Sequence, residues 1–276
     1  MKLRFSLYFY TYSFFILASL TFILFKFNIK NSLDHKNLGN SNFITGERVK
    51  IKSSWIGRKP VSKTIPILLL AGHADSQGIA GRGTLGEAVS LKGKSPMNPA
   101  ISDELYWNLE LLEAVVSLGK KRGLQISSYV PPVRNILDPN NPITNWSVGA
   151  KHASKGGYSL EIHFDAYGKF GMGSGLIPPL SKDVNTIDES LAQSFGRFPL
   201  LFRGGLGAPR RQIRVLEIGK LEGVLEKKLR DLDTRETTLQ LIADRIVRAI
   251  LLGINQPELF SRLLYREDIF LAAIYL

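Results

Sequence analysis

Four histidines and no cysteine set the limits of the metal chemistry open to this chain. His35, His73, His152 and His163 are its only imidazoles. Without thiols there are no disulfides, no thiolate zinc sites and no cysteine nucleophile. Any metal centre must be built from His, Asp and Glu. His73 follows an apolar run and a glycine, and His163 lies near the end of an alternating stretch that reads as a strand, so both imidazoles fall at strand ends. Several acids accompany them. A catalytic zinc takes three protein ligands and leaves one position to water. The metal lowers the pKa of that water, and a neighbouring carboxylate can receive its proton. Two histidines, one ligand carboxylate and one further carboxylate would suffice, but spacing alone does not say which acids fill the two roles.

The segments that must position these groups read as an α/β domain. Ile65–Ala71 is a short apolar strand ending in Gly72 and His73, the strand end at which α/β sheets commonly build sites. Asp75–Asn98 is rich in Gly, Ser and Lys and reads as a long loop. Ser102 or Asp103 caps a helix that ends at Gly119 or Gly123, with Leu105, Leu109, Leu112 and Val116 at core-facing spacing. Glu104 falls in its first turn, where the helix dipole favours a carboxylate. Gln125–Val130 is a second strand, Asn145–Ser154 a helix and Tyr158–Phe164 a strand. On that strand Ser159, Glu161 and His163 share one face, with Leu160, Ile162 and Phe164 on the other. Arg214–Ile218 is another strand and Thr237–Leu252 the last strong helix. The expected fold is a three-layer α/β domain, a mixed sheet flanked by helices.

Four blocks, in order, resemble the amidase-3 family of N-acetylmuramoyl-L-alanine amidases, zinc enzymes that trim bacterial cell walls. The run from Leu68 through Gly72 to His73 resembles the first zinc-ligand motif. Glu104 through Asn108 and Leu109 resembles an E-x-x-x-N-L helix start whose Glu is the second ligand. Ser159 through His163 to Asp165 resembles an S-I-H-x-N/D-A block with His163 the third ligand. Arg214 through Glu217 to Gly219 resembles a V-L-V-E-x-G block whose Glu is the catalytic base. The resemblance spans about residues 65–254. It implies zinc at His73, Glu104 and His163, with Glu217 moving the proton. The reaction it implies is hydrolysis of the amide between N-acetylmuramic acid and L-alanine in peptidoglycan. Two departures stand out. Ala74 and Asp75 follow His73 where the family has two glycines, and Glu161 stands where it has a small polar residue. They motivate the alternative of an amidase-fold protein that binds peptidoglycan or regulates wall hydrolases without efficient turnover.

Bland readings compete at several positions. Glu87 is the rival second ligand, in Gly-rich surroundings that suit a loop. His35 and His152 read as solvated. Glu217 in an apolar strand is costly unless paired or functional. Glu161 shares a strand face with His163, so it is placed either to approach the metal or to hydrogen-bond a ligand. Arg214 and Asp165 are assigned to substrate binding, and the cluster Arg203, Arg210, Arg211 and Arg214 suits an anionic glycan or muropeptide carboxylate.

From Phe5 to Phe25 there is no charged residue, and as a helix this run spans roughly 31 Å, the hydrocarbon thickness of a bilayer. No small-x-small cleavage site follows cleanly, so residues 1–30 are expected to be an uncleaved anchor rather than a signal peptide. Residues 31–64 are polar and read as a linker, residues 65–254 as the catalytic domain and 255–276 as a C-terminal extension. Basic residues flank both ends of the apolar run, so charge gives no orientation. The function implied by the resemblance places a single-pass protein in the inner membrane, with its domain facing the periplasm or cell wall. The net charge of +12 favours an anionic partner. No basic-aromatic recognition motif accompanies it, so nucleic acid is not expected. Peptidoglycan and the membrane are the expected partners, and a protein activator is left open.

Overall fold

The computed structural model describes residues 42–181 and 184–255. A five-stranded sheet lies at its centre: β1 Ile67–Ala71, β2 Ile126–Tyr129, β3 Tyr158–Asp165, β4 Gly175–Ile177 and β5 Arg214–Lys220, in the order β2-β1-β3-β5-β4. The first four strands in that order run parallel, and β4 alone is antiparallel, paired to β5. Every residue of β1 is buried, which is why its sequence is a continuous apolar run rather than an alternation.

Five longer helices flank the sheet: α1 Asp103–Lys121, α2 Asn145–Ser154, α3 Thr186–Phe195, α4 Gly223–Arg230 and α5 Arg235–Asn255. Ile67, Leu69, Leu160, Ile162 and Leu216 face one way, into a core shared with Leu105, Leu111, Leu191, Ile242 and Ile246 of α1, α3 and α5. Leu68, Leu70 and Val215 face the other way, against Trp146 and Val148 of α2 and against Ala208. The three-layer α/β architecture expected from the sequence is therefore present among the described residues.

Local chemistry sets the helix starts. Ser102 Oγ accepts from Leu105 N at 3.2 Å, and Thr144 Oγ1 accepts from Ser147 N at 3.1 Å. The start of α3 is a capping box, in which Asn185 Oδ1 accepts from Asp188 N and Asp188 Oδ2 from Asn185 N. The strands and helices read from the sequence all form, with no end shifted by more than three residues. Three elements were not read: β4, α3 and α4. β4 has only three residues in which to display a period.

Residues 42–64 require a correction, because the part of the expected linker that the structure describes packs along the domain. Trp55 is buried, donates from Nε1 to Phe198 O at 2.6 Å, and lies 4.2 Å beneath the Arg197 guanidinium. Val49 N donates to Ser174 O, Gly57 N to Glu189 Oε2, and Thr45 is buried against Arg245. The segment has no apolar period because it is a strap. It is held by backbone hydrogen bonds and one large side chain rather than by an amphipathic face. The expected anchor Phe5–Phe25, His35 and residues 256–276 lie outside the described residues. Among those described, no helix is long and apolar enough to cross a membrane.

Candidate metal centre

Three side chains from three elements converge at the C-terminal ends of β1 and β3. His73 sits just past β1 with φ 64°, in the left-handed region, a conformation uncommon for a non-glycine residue and enriched at functional sites. Gly72 before it has no alternative. A Cβ there would lie 2.3 Å from His163 Cε1. Glu104 comes from the first turn of α1 and is almost fully buried, and His163 comes from β3.

Their facing atoms form a nearly equilateral triangle. His73 Nε2 lies 3.1 Å from Glu104 Oε1, His163 Nδ1 lies 3.1 Å from the same oxygen, and the two nitrogens are 3.2 Å apart. A tetrahedral zinc with bonds of about 2.0–2.1 Å separates its ligand atoms by about 3.3–3.4 Å, so the triangle needs only a slight expansion to hold one ion. The remaining contacts set the protonation that binding requires. His73 Nδ1 faces Gly81 O at 2.5 Å, so its proton belongs there and Nε2 is left bare. Glu104 Oε2 accepts from Thr84 N at 2.8 Å, leaving Oε1 for the triangle. Two histidine nitrogens and a carboxylate oxygen this close share one central position, and the donor set fits zinc.

The electrostatics match. Burial alone would raise the Glu104 carboxyl, but His73 and His163 outweigh it and hold it well below the usual range. Burial would lower His163, yet Glu104, Glu161 and Glu217 raise it well above the ordinary imidazole value. The pocket is one that a positive charge satisfies.

Glu217 on β5 is register-paired with His163 on β3, so the two project from the same face of adjacent strands. Its Oε2 is buried without a hydrogen-bond partner. Burial pushes its carboxyl up to about 8. Asp165 and Glu104 add to the rise, while His163 and Arg203 oppose it. An unpartnered buried acid beside a cation cradle is the group a proton-transfer role calls for. The pairing of β3 and β5 slips between His163 and Asp165, an irregularity of the kind that re-aims side chains next to sites.

The other expected site residues fall elsewhere. Arg214 is not brought to the triangle. It is buried on the opposite face of β5 from Glu217, gripped by Asp188 at 2.9 and 3.2 Å, with its guanidinium 4.6 Å from the Tyr158 ring. The alternation of a strand sends residues 214 and 217 to different layers, so substrate binding by Arg214 is replaced by a buried ion pair. Asp165 lies at the right strand end but is already engaged. Its Oδ1 accepts from Ala166 N, and its Oδ2 from Met172 N and Gly173 N, fixing the loop after β3. Glu87 pairs with Lys92 and accepts from Gly223 N, outside the triangle. His152 faces Pro66 O at 3.0 Å. Of the basic cluster, Arg210 and Arg211 bind nearby backbone carbonyls. Arg203 is exposed, and its charge reaches Glu217.

Sequence reasoning missed the residues that hold the cradle in shape. Gln77 Nε2 donates to His73 O and Arg82 O, both at 2.8 Å, and its Oε1 accepts from Ser102 N. One side chain thus ties the His73 turn to the cap of the Glu104 helix. Asn108 Nδ2 donates to Gly72 O at 3.1 Å, and Asn145 Nδ2 to Ala71 O at 2.6 Å. Asn108 was visible as part of a motif. Gln77 and Asn145 carried no signal, because an amide in a loop or at a helix start is ordinary in any sequence.

No family model and no curated protein matches the chain. Several solved structures are similar to it. The catalytic domain of the CD27L endolysin targeting Clostridia difficile is 19% identical, over 68% of this chain and 97% of that one, with a TM-score of 0.45. The catalytic domain of CwlV, an N-acetylmuramoyl-L-alanine amidase from Bacillus (Paenibacillus) polymyxa var. colistinus, is 16% identical, over 68% and 99%, with a TM-score of 0.43. The N-acetylmuramyl-L-alanine amidase of Mycobacterium smegmatis is 16% identical, over 69% and 97%, with a TM-score of 0.44. At these scores the chemistry has to be read from the site itself.

Proposed function

We propose that the chain is a zinc-dependent amide hydrolase that cleaves the bond between N-acetylmuramic acid and L-alanine in peptidoglycan. The observation that carries the hydrolytic reading is the triangle of His73 Nε2, Glu104 Oε1 and His163 Nδ1, with the unpartnered Glu217 carboxyl on the neighbouring strand. The substrate rests on the four sequence blocks that carry these same residues.

Zinc held by His73, Glu104 and His163 supplies Lewis acidity toward the amide carbonyl and makes water acidic enough to attack near neutral pH. Glu217 accepts a proton from the attacking water as its oxygen bonds to the lactyl carbonyl carbon. The C–N bond then breaks, and Glu217 returns the proton to the departing alanine nitrogen. The products are a lactyl carboxylate and a peptide with a free L-alanine amino terminus. Arg203, exposed and electrostatically coupled to Glu217, is the cation best placed to meet an anionic stem peptide. The charge-free run Phe5–Phe25 is proposed to anchor the enzyme in the inner membrane, with its domain toward the periplasm or wall.

Two measurements on the full-length chain test this. Metal analysis should find about one zinc per chain, lost in His73→Ala, Glu104→Ala and His163→Ala. Digestion of purified peptidoglycan should expose new alanine amino termini. In Glu217→Gln this should fall roughly 10²–10⁴-fold, the usual weight of a general acid–base group, with zinc retained. A wild-type chain that releases no alanine termini while holding zinc would leave a metal-bearing wall-binding protein.

A further inference from the structure

Behind the triangle, Asp75, Asn145, Glu161 and His163 form one connected line. Glu161 is buried two residues before His163 on β3, and its Oε2 faces His163 Nε2 at 3.6 Å, an ion-pair separation. Its other oxygen accepts from Asn145 Nδ2 at 3.2 Å. That amide also donates to Ala71 O at 2.6 Å, two residues before His73. Asn145 is itself fixed at the start of α2, where its backbone N donates to Asp75 Oδ2 at 2.7 Å. One side-chain amide therefore grips the approaches to both histidines, and a carboxylate from the His73 loop holds that amide's helix in place. Asp75 and Glu161 are two of the positions at which the sequence departs from the pattern of the family it resembles, and the fold joins them through Asn145.

His163 turns Nδ1 to the triangle and Nε2 to Glu161. A neutral imidazole carries one proton, and the nitrogen that binds a cation must be the bare one. A carboxylate beside Nε2 favours the tautomer with its proton there and makes Nδ1 the stronger donor to a cation. Burial of Glu161 without such a counterpart would be costly. Alternation along β3 puts residues 161 and 163 on the same face, so the carboxylate stands next to the ring.

We propose that Glu161, aimed by Asn145 and anchored through Asp75, is a positioning residue that holds the His163 ring with its proton on Nε2 and so tightens the cation site. The inference rests on the metal reading above. It does not depend on which amide is cleaved.

The test is zinc affinity of the full-length chain by chelator competition, without substrate. Glu161→Gln keeps the shape of the side chain and removes its charge. It should weaken zinc binding roughly 10–100-fold, the usual effect of losing a carboxylate behind a metal-bound histidine. Its metal-free Tm should stay close to wild type. Asn145→Ala leaves the charge but frees the carboxylate, and should show a smaller loss. It also carries the test if Glu161→Gln fails to fold. Long-range ¹H–¹⁵N correlation of the zinc-loaded wild type should place the His163 proton on Nε2. Wild-type affinity in both variants, or a proton on Nδ1, overturns this inference alone. A wild-type chain with no affinity for zinc overturns it together with the proposed function.

Discussion

His163 experiences opposite demands at one ring. Without metal its burial favours the neutral form, yet three carboxyl groups outweigh burial and raise its pKa well above the ordinary value. A cation at Nδ1 has to displace that proton. Apparent zinc affinity should therefore rise with pH through neutrality, by up to about tenfold per pH unit while one proton is displaced. Calorimetry at pH 7 in buffers of different ionisation heat should report about one proton released from the His163 ring per zinc and up to about one more from Glu217. A buffer-independent heat would mean that the ring is already neutral in the metal-free protein. Glu217, raised to about 8 by burial, also carries its proton at pH 7 before metal binds, and a dication in the triangle favours its loss.

Among the elements, the loop Asp75–Asn98 matches its sequence expectation in length but not in character. Its short helical turn Gly86–Ser90 rests on α4, where Glu226 Oε2 accepts from Ala88 N at 2.9 Å and Oε1 is buried without a partner. Burial raises the Glu226 carboxyl to about 7, against the opposing pull of the Ala88 N–H and of Arg230. The folded state therefore holds a proton that the unfolded chain has released between pH about 4.5 and about 7. Stability falls as pH rises through that window, by about 3 kcal/mol if the whole shift is expressed. Glu226→Gln should remove this dependence. Its Tm relative to wild type should climb between pH 5 and pH 8, and a parallel pair of pH profiles would show that Glu226 ionises without cost. The turn it supports leads by way of Thr84 to Glu104, so the packing of α4 bears on the ligand loop.

For the molecule as a whole, the strap of residues 42–64 turns a segment without periodicity into part of the fold. Trp55 supplies its main apolar anchor, and Arg197 closes over the ring while donating to Trp55 O at 2.7 Å. Trp55→Ala should cost about 3–5 kcal/mol, as for a large aromatic removed from a packed position. Chemical denaturation would measure it. Zinc affinity of the folded variant should remain that of wild type. A loss below about 1 kcal/mol would mean that the strap is held by its backbone hydrogen bonds alone.

The sequence by itself determined the central strands and the long helices and set His73 and His163 at strand ends, while Glu104 as their companion was implied only by the family resemblance. Those depend on local patterns: an apolar run before Gly72, a capped helix beginning near Glu104, and alternation along residues 158–165. It did not determine which polar groups near those residues were free. Arg214 and Asp165 are as polar in sequence as Glu217, yet the fold pairs the first with Asp188 and closes the second on the backbone of its own loop, leaving Glu217 Oε2 unpartnered. That distinction is tertiary because a side chain's availability is set by what packs across from it, and here those neighbours come from distant positions in the chain. For the same reason only the structure could join Asp75, Asn145 and Glu161 into one line, and fold a polar strap against the sheet.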